Sequence, residues 1–421
     1  MIVRGSVSVP GDKSLTHRLL LLAGLTAGRS RLSGALTSLD ARSTASVLRR
    51  LGVAVSPLRP GAAVVIEGRA RFQRPRGILH CGNSGTTARL SLGLLAGHPF
   101  PARLTGDASL RSRPMRRVTG PLSAMGARFE PAEADRLPFT IRGGPLRSLE
   151  WELPVSSAQL KGCLLLAGVA GGVSVALREP AGRSRDHTER LLRAFGFAVE
   201  EAADGWIRFA PTGSLRPFDL AVPGDASSAA FLVAAGLLAE SGVLRVTGVG
   251  LNPTRTGFLR VLDRMGARVT IAASGERCGE PVGDLTVRPG PLHATTVRAE
   301  EIPGLIDEVP VLAVLASRAL GQTRFHEVGE LRVKESDRLA LLAENLRAIG
   351  AAAAAEGNSL AVEGAHNPPR GTVRTEADHR IAMAFEVLNL VKGAKVEVDN
   401  LACASVSFPG FAATLRQVTG R

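Results

Sequence analysis

The sequence predicts an α/β protein of two similar domains, each built from three units that combine strands and helices. The chain has 421 residues, about two to three times the commonest domain size. The segment VPGDKS at 9–14 returns as VPGDAS at 222–227, close to half the chain length later. A helix-ending pattern, Leu-x-x-apolar-Gly or a close variant, recurs six times at spacings of 70 to 84 residues, ending at Gly52, Gly126, Gly196, Gly266, Gly350 and Gly420.

The repeated pattern places the elements along the chain. Each copy predicts the last turn of an amphipathic helix that a glycine ends. Short apolar strands such as ARFE, FAVE and ARVT follow most copies, and alternating stretches such as AAVVIEG and LRVTGVG predict further strands. In each half the repeated PGD turn precedes an apolar helix, LTHRLLLLAGL or SAAFLVAAGLL.

Two chain crossings divide the predicted domains, one near residue 10 and one near residue 222. The first strand is expected to belong with the second half. The predicted domains are therefore 11–221 and 1–10 plus 222–421, with a ligand in the cleft between them.

Composition excludes several classes of protein. With 45% hydrophobic and 21% charged residues, the chain is neither disordered nor of low complexity. Its uncharged apolar segment 162–177 is too short and too polar to span a membrane. Four distant cysteines without a CxxC pair predict reduced thiols, a cytoplasmic location and no metal site.

Charge is divided unevenly between the halves. Residues 1–221 carry 31 basic and 16 acidic groups, whereas residues 222–421 carry 21 and 22. This asymmetry predicts an anionic ligand for the first half. Aromatic residues are only 4% and tyrosine is absent, which favours a small anionic substrate over nucleic acid.

The two PGD turns provide an internal control for Lys13. Both copies keep Pro-Gly-Asp-x-Ser, but Ala226 replaces the lysine in the second. The turn itself therefore does not need a lysine, and a functional role for Lys13 is favoured. Lys13 and Arg18 lie about one turn apart at a helix start, where cations and amide donors can hold a phosphate or carboxylate.

Other polar helix starts in the first half repeat this theme. Three segments precede or open a helix: GNSGTTAR (82–89), SSAQLKG (156–162) and SRDHTERLL (184–192). The arginine-rich segment 104–117 is predicted to be a loop, because Pro114 breaks any helix there, and so basic a loop is expected to meet an anion or an acidic surface. Plain capped starts with surface arginines have the same pattern, and for 184–192 that alternative has equal weight. The candidate ligand contacts are Asn83, Gly85, Arg89, Arg113, Ser157, Gln159, Ser184 and Arg185.

The second half offers acids and bases rather than a basic surface. Asp307 and Glu308 lie among apolar residues, where partial burial is expected to raise a carboxyl pKa and suit proton abstraction. Lys334 and Arg338 are expected on one helical face, and Arg380 at a helix entrance. A capping acid and a surface salt-bridge ladder are the alternatives.

Eight motifs together resemble the 3-phosphoshikimate 1-carboxyvinyltransferase (EPSP synthase) family. In chain order they are PGDKSLTHR, GNSGTTAR, SRP, SSAQLK, SRDHTER, LIDEVP, VKESDRL and ADHRIAM, spread over essentially the whole chain. The resemblance implies two inside-out α/β domains that close over the substrates, with the active site between them. It also implies transfer of an enolpyruvyl group from phosphoenolpyruvate to the 5-hydroxyl of shikimate 3-phosphate, without cofactor or metal, in a monomer.

The resemblance assigns roles to individual residues. Shikimate 3-phosphate is expected to contact Lys13, Ser14, Arg18, Ser157, Gln159, Ser184, Asp307 and Lys334. Phosphoenolpyruvate is expected to contact Lys13, Asn83, Gly85, Arg113, Gln159, Arg338 and Arg380. The implied catalytic residues are Lys13, Asp307, Lys334 and Glu335, with Asp307 as the base for the 5-hydroxyl.

Two departures and two alternatives accompany the resemblance. Val406 stands where some members have a lysine, and aromatic contacts to the shikimate ring cannot be tyrosines because the chain has none. The resemblance also implies that Gly85 leaves room in the phosphoenolpyruvate pocket for glyphosate. The sister family that acts on UDP-N-acetylglucosamine usually has a reactive cysteine in a first-domain loop, which segment 104–117 lacks. The other alternative is a nucleic-acid-binding protein, suggested by the high pI.

Overall fold

A computed structural model describes residues 1–180 and 183–420, which fold into two compact units. The N-terminal unit comprises Gly11–Val222 and Arg277–Glu280. The C-terminal unit comprises Met1–Pro10, Pro223–Glu276 and Pro281–Arg421. Each unit has its own buried apolar core.

The N-terminal unit alternates helices with short strands. Strand β1 (Gly5–Ser8) precedes it and belongs to the C-terminal unit. The helices of the N-terminal unit are α1 (Lys13–Gly24), α2 (Leu39–Arg50), α3 (Gly85–Ala96), α4 (Ala108–Ser112), α5 (Arg116–Met125), α6 (Ala158–Gly171) and α7 (His187–Ala194). Its strands are β2 (Gly28–Ser33), β3 (Ala54–Val55), β4 (Val64–Gly68), β5 (Leu79–His80), β6 (Pro101–Thr105), β7 (Arg128–Glu130), β8 (Phe139–Arg142), β9 (Leu149–Glu152), β10 (Val175–Arg178), β11 (Ala198–Glu201), β12 (Trp206–Ala210) and β13 (Asp219–Ala221).

These strands form three sheets of identical plan. Their orders are β13-β2-β4-β3, β5-β6-β8-β7 and β9-β10-β12-β11. In each sheet the first two strands are parallel and the later pairs antiparallel. The plan is one β-α-β-α-β-β unit used three times, which confirms the predicted repeat in this half.

The first helix of each repeat lies in the core of the unit. Helices α1, α3 and α6 are buried over most of their length, as expected for helices that are apolar on nearly every face. A Cβ on Gly93 of α3 would lie only 2.1 Å from the carbonyl oxygen of Cys163 in α6. Glycine there permits two core helices to approach closely.

The C-terminal unit follows the same order of elements. Its helices are α8 (Ala226–Leu238), α9 (Gly257–Arg264), α10 (Val309–Ala316), α11 (Arg338–Ala348), α12 (His379–Glu386) and α13 (Phe411–Thr419). Its further strands are β14 (Leu244–Gly250), β15 (Arg268–Arg277), β16 (Glu280–Arg288), β17 (Thr296–Val297), β18 (Gln322–Phe325), β19 (Ala353–Glu356), β20 (Ser359–Glu363), β21 (Arg370–Val373) and β22 (Lys395–Val398). Short 3₁₀ helices occupy Ala299–Gly304, Gly329–Val333, Val387–Leu390 and Leu401–Val406.

The sixth repeat has a smaller sheet than the other five. Two four-stranded sheets, β1-β14-β16-β15 and β17-β18-β20-β19, match the plan, but the last sheet is the parallel pair β21-β22. The segment after β22 has no alternating strand pattern and forms a 3₁₀ helix and α13 instead. Helix α13 lies against β1, where the Arg4 amide donates to the Val418 carbonyl over 3.0 Å. The last unit therefore still combines strands with helices, as predicted, but its sheet has two strands where the other five have four.

The two halves exchange their leading strands. Strand β1 precedes α1 in sequence but pairs in parallel with β14, with Gly5 opposite Leu244. Strand β13 precedes α8 but pairs in parallel with β2, with Asp219 opposite Arg31. Each PGD turn follows one of these strands. No helix among the described residues is long and apolar enough to cross a membrane.

Candidate active site

The start of α1 carries the first group of predicted residues. Asp12, not Ser14, caps the helix by accepting a hydrogen bond from the Leu15 amide over 2.8 Å. Asp225 caps α8 in the same way through the Ser228 amide at 2.8 Å. The repeated aspartate thus has a structural role.

Lys13, which only the first copy has, forms an ion pair. Its Nζ lies 2.5 Å from the Asp40 carboxylate of α2. About a fifth of the Lys13 side chain remains exposed. A cation held at a helix start, where the amide dipoles also point, is suited to an anionic ligand.

Arg18 joins three helices. Its Nε donates to Thr188 Oγ1 of α7 over 2.7 Å, and its Nη2 donates to the Ala158 carbonyl of α6 over 3.2 Å. Burial lowers the pKa of this guanidinium to about 10, so it keeps its charge at neutral pH. Arg18 therefore brings a buried positive charge to the starts of α6 and α7.

The start of α3 holds Asn83 and Gly85 beside two arginines. Asn83 Oδ1 accepts from Arg113 Nη2 over 2.6 Å, and its Nδ2 donates to Asp107 over 2.8 Å. A Cβ on Gly85 would lie 3.1 Å from Arg89 Nη1 and 3.4 Å from Arg113 Nη1. Gly85 thus leaves open the space in front of both guanidinium groups.

Gln159 ties α6 to α3. Its Oε1 accepts from Arg89 Nη1 over 2.5 Å, and its Nε2 donates to Thr86 Oγ1 over 3.0 Å. Ser157 caps α6 through the Leu160 amide at 3.4 Å. Together with Arg18, these bonds bring the starts of α1, α3 and α6 to one place in the N-terminal unit.

The start of α7 differs from the expected capped helix. Asp186 occupies the capping position, but its side chain makes no cap hydrogen bond and pairs with Arg190 at 2.9 Å. The nearby Ser184 Oγ is buried and has no hydrogen-bond partner among the described residues. A buried hydroxyl of this kind is usually satisfied by a ligand or water.

Asp307 lies among cations in the C-terminal unit. Its carboxylate oxygens lie 3.4 Å from Arg338 Nη1, 3.6 Å from Arg380 Nη2 and 3.9 Å from Lys334 Nζ. Asp307 is partly buried beside the apolar helix α10, as expected, but charged groups also surround its carboxylate. Asp307 and these three cations form one charged group in the C-terminal unit.

Arg338 is fixed by carboxylates on three sides. Its Nε and Nη2 donate to the two oxygens of Asp378 over 2.7 and 3.2 Å, and Nη2 also donates to Glu335 over 2.6 Å. Burial lowers the pKa of Arg338, but these carboxylates outweigh burial and raise it overall. The guanidinium is permanently charged and held in one orientation.

Lys334 and Arg338 do not share a helical face as predicted. The 3₁₀ helix Gly329–Val333 ends before Lys334, and α11 begins only at Arg338. Asp337 starts that helix by accepting from the Ala340 amide over 2.9 Å. Both cations nevertheless reach Asp307.

Glu308 anchors a buried group that sequence reasoning missed. Its Oε2 accepts from Arg255 Nη1 over 2.7 Å, and its Oε1 accepts from Ser227 Oγ at the start of α8. Arg380 Nη1 donates to Ser227 Oγ over 3.0 Å and to the Asp307 carbonyl over 2.8 Å. Arg255 stands in no recognisable motif, so only the fold shows this contact.

Two further predictions concern Val406 and the absence of a metal site. Val406 ends the 3₁₀ helix Leu401–Val406, half-buried and uncharged. Among residues 1–180 and 183–420, no group of three or more His, Cys, Asp or Glu side chains is arranged to hold a metal ion.

Comparison with known proteins identifies the family. The family model for EPSP synthase (3-phosphoshikimate 1-carboxyvinyltransferase) matches residues 2–415. The chain belongs to the EPSP synthase family. The 3-phosphoshikimate 1-carboxyvinyltransferase of Thermus thermophilus is 48% identical over 412 residues, covering 97% of this chain and 95% of that protein. The enzyme of Desulfitobacterium hafniense is 44% identical over 420 residues, covering 99% and 95%.

Solved structures agree with the family assignment. EPSP synthase from Acinetobacter baumannii superposes with a TM-score of 0.86 at 34% identity, covering 99% of this chain and 96% of that one. The enolpyruvyl transferase NikO from Streptomyces tendae has a TM-score of 0.78 at 19% identity, covering 99% and 95%, and shares the fold. The predicted fold class and family are confirmed, and the protein is a transferase of the shikimate pathway.

Proposed function

We propose that this EPSP synthase moves the enolpyruvyl group of phosphoenolpyruvate to the 5-hydroxyl of shikimate 3-phosphate. The supporting observation is that the predicted residues gather at helix starts in each unit, where buried arginines add to the amide dipoles. Such sites suit phosphate and carboxylate groups. Both proposed substrates carry these groups.

Shikimate 3-phosphate is assigned to the helix starts of the N-terminal unit. Arg18 and the unpartnered Ser184 hydroxyl are suited to its phosphate, because both are buried and polar. The other proposed contacts are Lys13, Ser14, Ser157, Gln159, Asp307 and Lys334.

Phosphoenolpyruvate is assigned to a second set of arginines. Arg113 lies beside Asn83 and Gly85. Arg338 and Arg380 are buried and oriented by carboxylates, so each can present a fork of donors to a carboxylate or phosphate. Lys13 and Gln159 complete the proposed set. Arg338 and Arg380 supply positive charge, which the uncharged side chain of Val406 does not.

The proposed chemistry needs a base and an acid. The Asp307 carboxylate takes the proton of the 5-hydroxyl. The hydroxyl oxygen then attacks the carbon that carries the phosphate of phosphoenolpyruvate. Lys334 and Glu335, with Lys13, move protons at the neighbouring carbon. The new C–O bond forms, and loss of phosphate restores the double bond. The arginines stabilise the charge that develops as phosphate leaves.

We further propose that the protein works as a cytoplasmic monomer without cofactor. All four cysteines are unbonded and buried, which suits a reducing compartment. Every proposed contact comes from one chain. Sedimentation of the protein at several concentrations tests the monomer.

Phosphate release tests the reaction. Phosphoenolpyruvate is supplied with shikimate 3-phosphate or, separately, with UDP-N-acetylglucosamine. We expect release only with shikimate 3-phosphate. Release with UDP-N-acetylglucosamine alone, or with neither acceptor, would contradict the proposal.

A further inference from the structure

Lys161 is a fully buried lysine that the reaction does not use. It lies in α6, two residues after Gln159, and about 1% of its side chain is exposed. Its Nζ lies 2.9 Å from Glu179 and 2.8 Å from Glu189, whose side chains are also buried. Burial lowers the pKa of Lys161, but the two carboxylates outweigh it and the pKa lies above its usual value. The ammonium is therefore charged.

This ion cluster holds the backbone of Ser184 from both sides. The Ser184 amide donates to Glu179 Oε2 over 3.1 Å. The Ser184 carbonyl accepts from Lys161 Nζ over 3.2 Å. The Ser184 hydroxyl is the polar group of this residue that has no partner among the described residues, although the residue is only 3% exposed.

The same cluster borders Arg18. Glu189 is next in sequence to Thr188, whose hydroxyl accepts from Arg18 Nε over 2.7 Å. The Glu189 carboxylate also stabilises the charge of Arg18, because it raises the arginine pKa against the effect of burial. One group of ions thus borders two polar side chains that share the proposed phosphate site.

We propose that Lys161 is a positioning residue that, with Glu179, fixes Ser184 so that its hydroxyl donates to the phosphate of shikimate 3-phosphate. The inference rests on the proposed function. Replacing a buried ion cluster with apolar residues often costs a fold little, so stability alone gives no reason for a lysine here. Holding the buried Ser184 hydroxyl toward a ligand, since it has no hydrogen-bond partner among the described residues, does give such a reason.

A double-mutant cycle tests this role. Ser184→Ala, Lys161→Met and the pair are compared for KM of both substrates and, by calorimetry, for Kd of shikimate 3-phosphate. Each single change should raise KM and Kd for shikimate 3-phosphate about tenfold or more, as expected for a lost hydrogen bond to a charged group. The double variant should bind shikimate 3-phosphate no more weakly than the more impaired of the two single variants. In every variant, KM for phosphoenolpyruvate should stay within about twofold of the wild-type value.

Two further variants keep the test decisive. Glu179→Ala removes the acceptor for the Ser184 amide but leaves Lys161 paired with Glu189. If Lys161→Met fails to fold, Glu179→Ala takes its place in the test. It should show the same loss, and the same non-additivity with Ser184→Ala. Lys392→Met removes a lysine whose side chain is 85% exposed and should change nothing.

Two results would overturn the inference. One is a folded Lys161→Met or Glu179→Ala protein with unchanged KM for shikimate 3-phosphate. The other is full additivity with Ser184→Ala. If the wild-type protein shows no turnover with shikimate 3-phosphate, the proposed function itself has failed, and that outcome is visible before any variant is made.

Discussion

Asp307 is the residue proposed as the base, and three cations lie close to it. Lys334, Arg338 and Arg380 all lie within 4 Å of its carboxylate. We expect Asp307→Asn to bind shikimate 3-phosphate nearly as well as wild type but to lose about 10²–10⁴-fold in kcat, because a general base is gone. Phosphate release gives kcat, and calorimetry gives binding. Unchanged turnover would remove Asp307 as the base.

Gly85 sets the space in front of two guanidinium groups. An added Cβ would lie 3.1 Å from Arg89 Nη1 and 3.4 Å from Arg113 Nη1. Gly85→Ala should therefore push Arg89 by a few tenths of an ångström and fill the space in contact with Arg113. We expect KM for phosphoenolpyruvate to rise several-fold while KM for shikimate 3-phosphate changes little.

Glyphosate inhibition provides a second measurement of the Gly85 pocket. Wild type should be inhibited at millimolar glyphosate, and Gly85→Ala should be inhibited less. Gly120→Ala, where a Cβ meets nothing within 4 Å, is the matched control. Full wild-type activity under millimolar inhibitor, or equal inhibition of both proteins, would contradict this view of the pocket.

Single residues were predictable from the sequence where they belong to a motif. Lys13 was identified at a helix start, Arg113 in an arginine-rich loop beside Pro114, and Asp307 just before an apolar helix. Arg255 was not, because its partner Glu308 lies 53 residues away and only tertiary packing brings them together. The roles of all these residues stay predictions until variants are measured.

At the scale of elements, helix starts position the site. Asp12, Asp225, Asp337 and Asp378 each cap a helix with their carboxylate. The sequence indicated where helices begin but placed Lys334 and Arg338 in one helix. The 3₁₀ helix ends at Val333, before Lys334, and Asp337 caps a new helix, α11, that begins at Arg338. The spacing of the residues in the sequence does not show this break.

Asp378 links helix α12 to Arg338 and makes stability depend on pH. Burial raises the pKa of its carboxyl, but Arg338 outweighs burial, and the pKa lies below its ordinary value. A carboxyl with a lower pKa in the folded state stabilises the fold above its unfolded pKa of about 3.9 and loses this contribution as pH falls. We therefore expect the free energy of unfolding to fall as pH drops below about 4.

Removing the charge should remove part of that dependence. Asp378→Asn leaves Arg338 without its bidentate partner, so the free energy of unfolding at pH 7 should drop by about 3–5 kcal/mol. Urea unfolding at several pH values measures both effects. Asp204→Asn, in an exposed pair with Arg208, is the control and should change stability little. An unaltered pH profile in Asp378→Asn would be evidence against the pairing.

At the scale of the whole molecule, strand β1 makes the C-terminal unit depend on residues from the start of the chain. Strand β1 buries Val7 and is preceded by buried Val3. Deleting residues 1–8 should therefore cost at least about 3 kcal/mol of unfolding free energy, from two buried valines at about 1.5 kcal/mol or more each. Urea unfolding measures the loss. Ser6→Ala with Ser8→Ala keeps the strand and should be near wild type. Equal stability of the deletion protein would contradict the pairing.

The architecture was largely predictable because it repeats. Five of the six predicted units have the full strand plan, and the glycine-ended helices appear where the pattern placed them. The sixth unit, whose helix ending LRQVTG is the loosest copy of the pattern, lacks the second pair of strands. Repetition in sequence predicts elements well but not how many strands each sheet contains.

The most direct test of the account is to identify both products of one reaction. Phosphoenolpyruvate and shikimate 3-phosphate are incubated with the protein, and phosphate and the enolpyruvyl product are quantified by ³¹P NMR and mass spectrometry. The account predicts equal amounts of phosphate and 5-enolpyruvylshikimate 3-phosphate. Phosphate without that product would indicate hydrolysis of phosphoenolpyruvate, and would contradict the transfer that these residues are proposed to carry out.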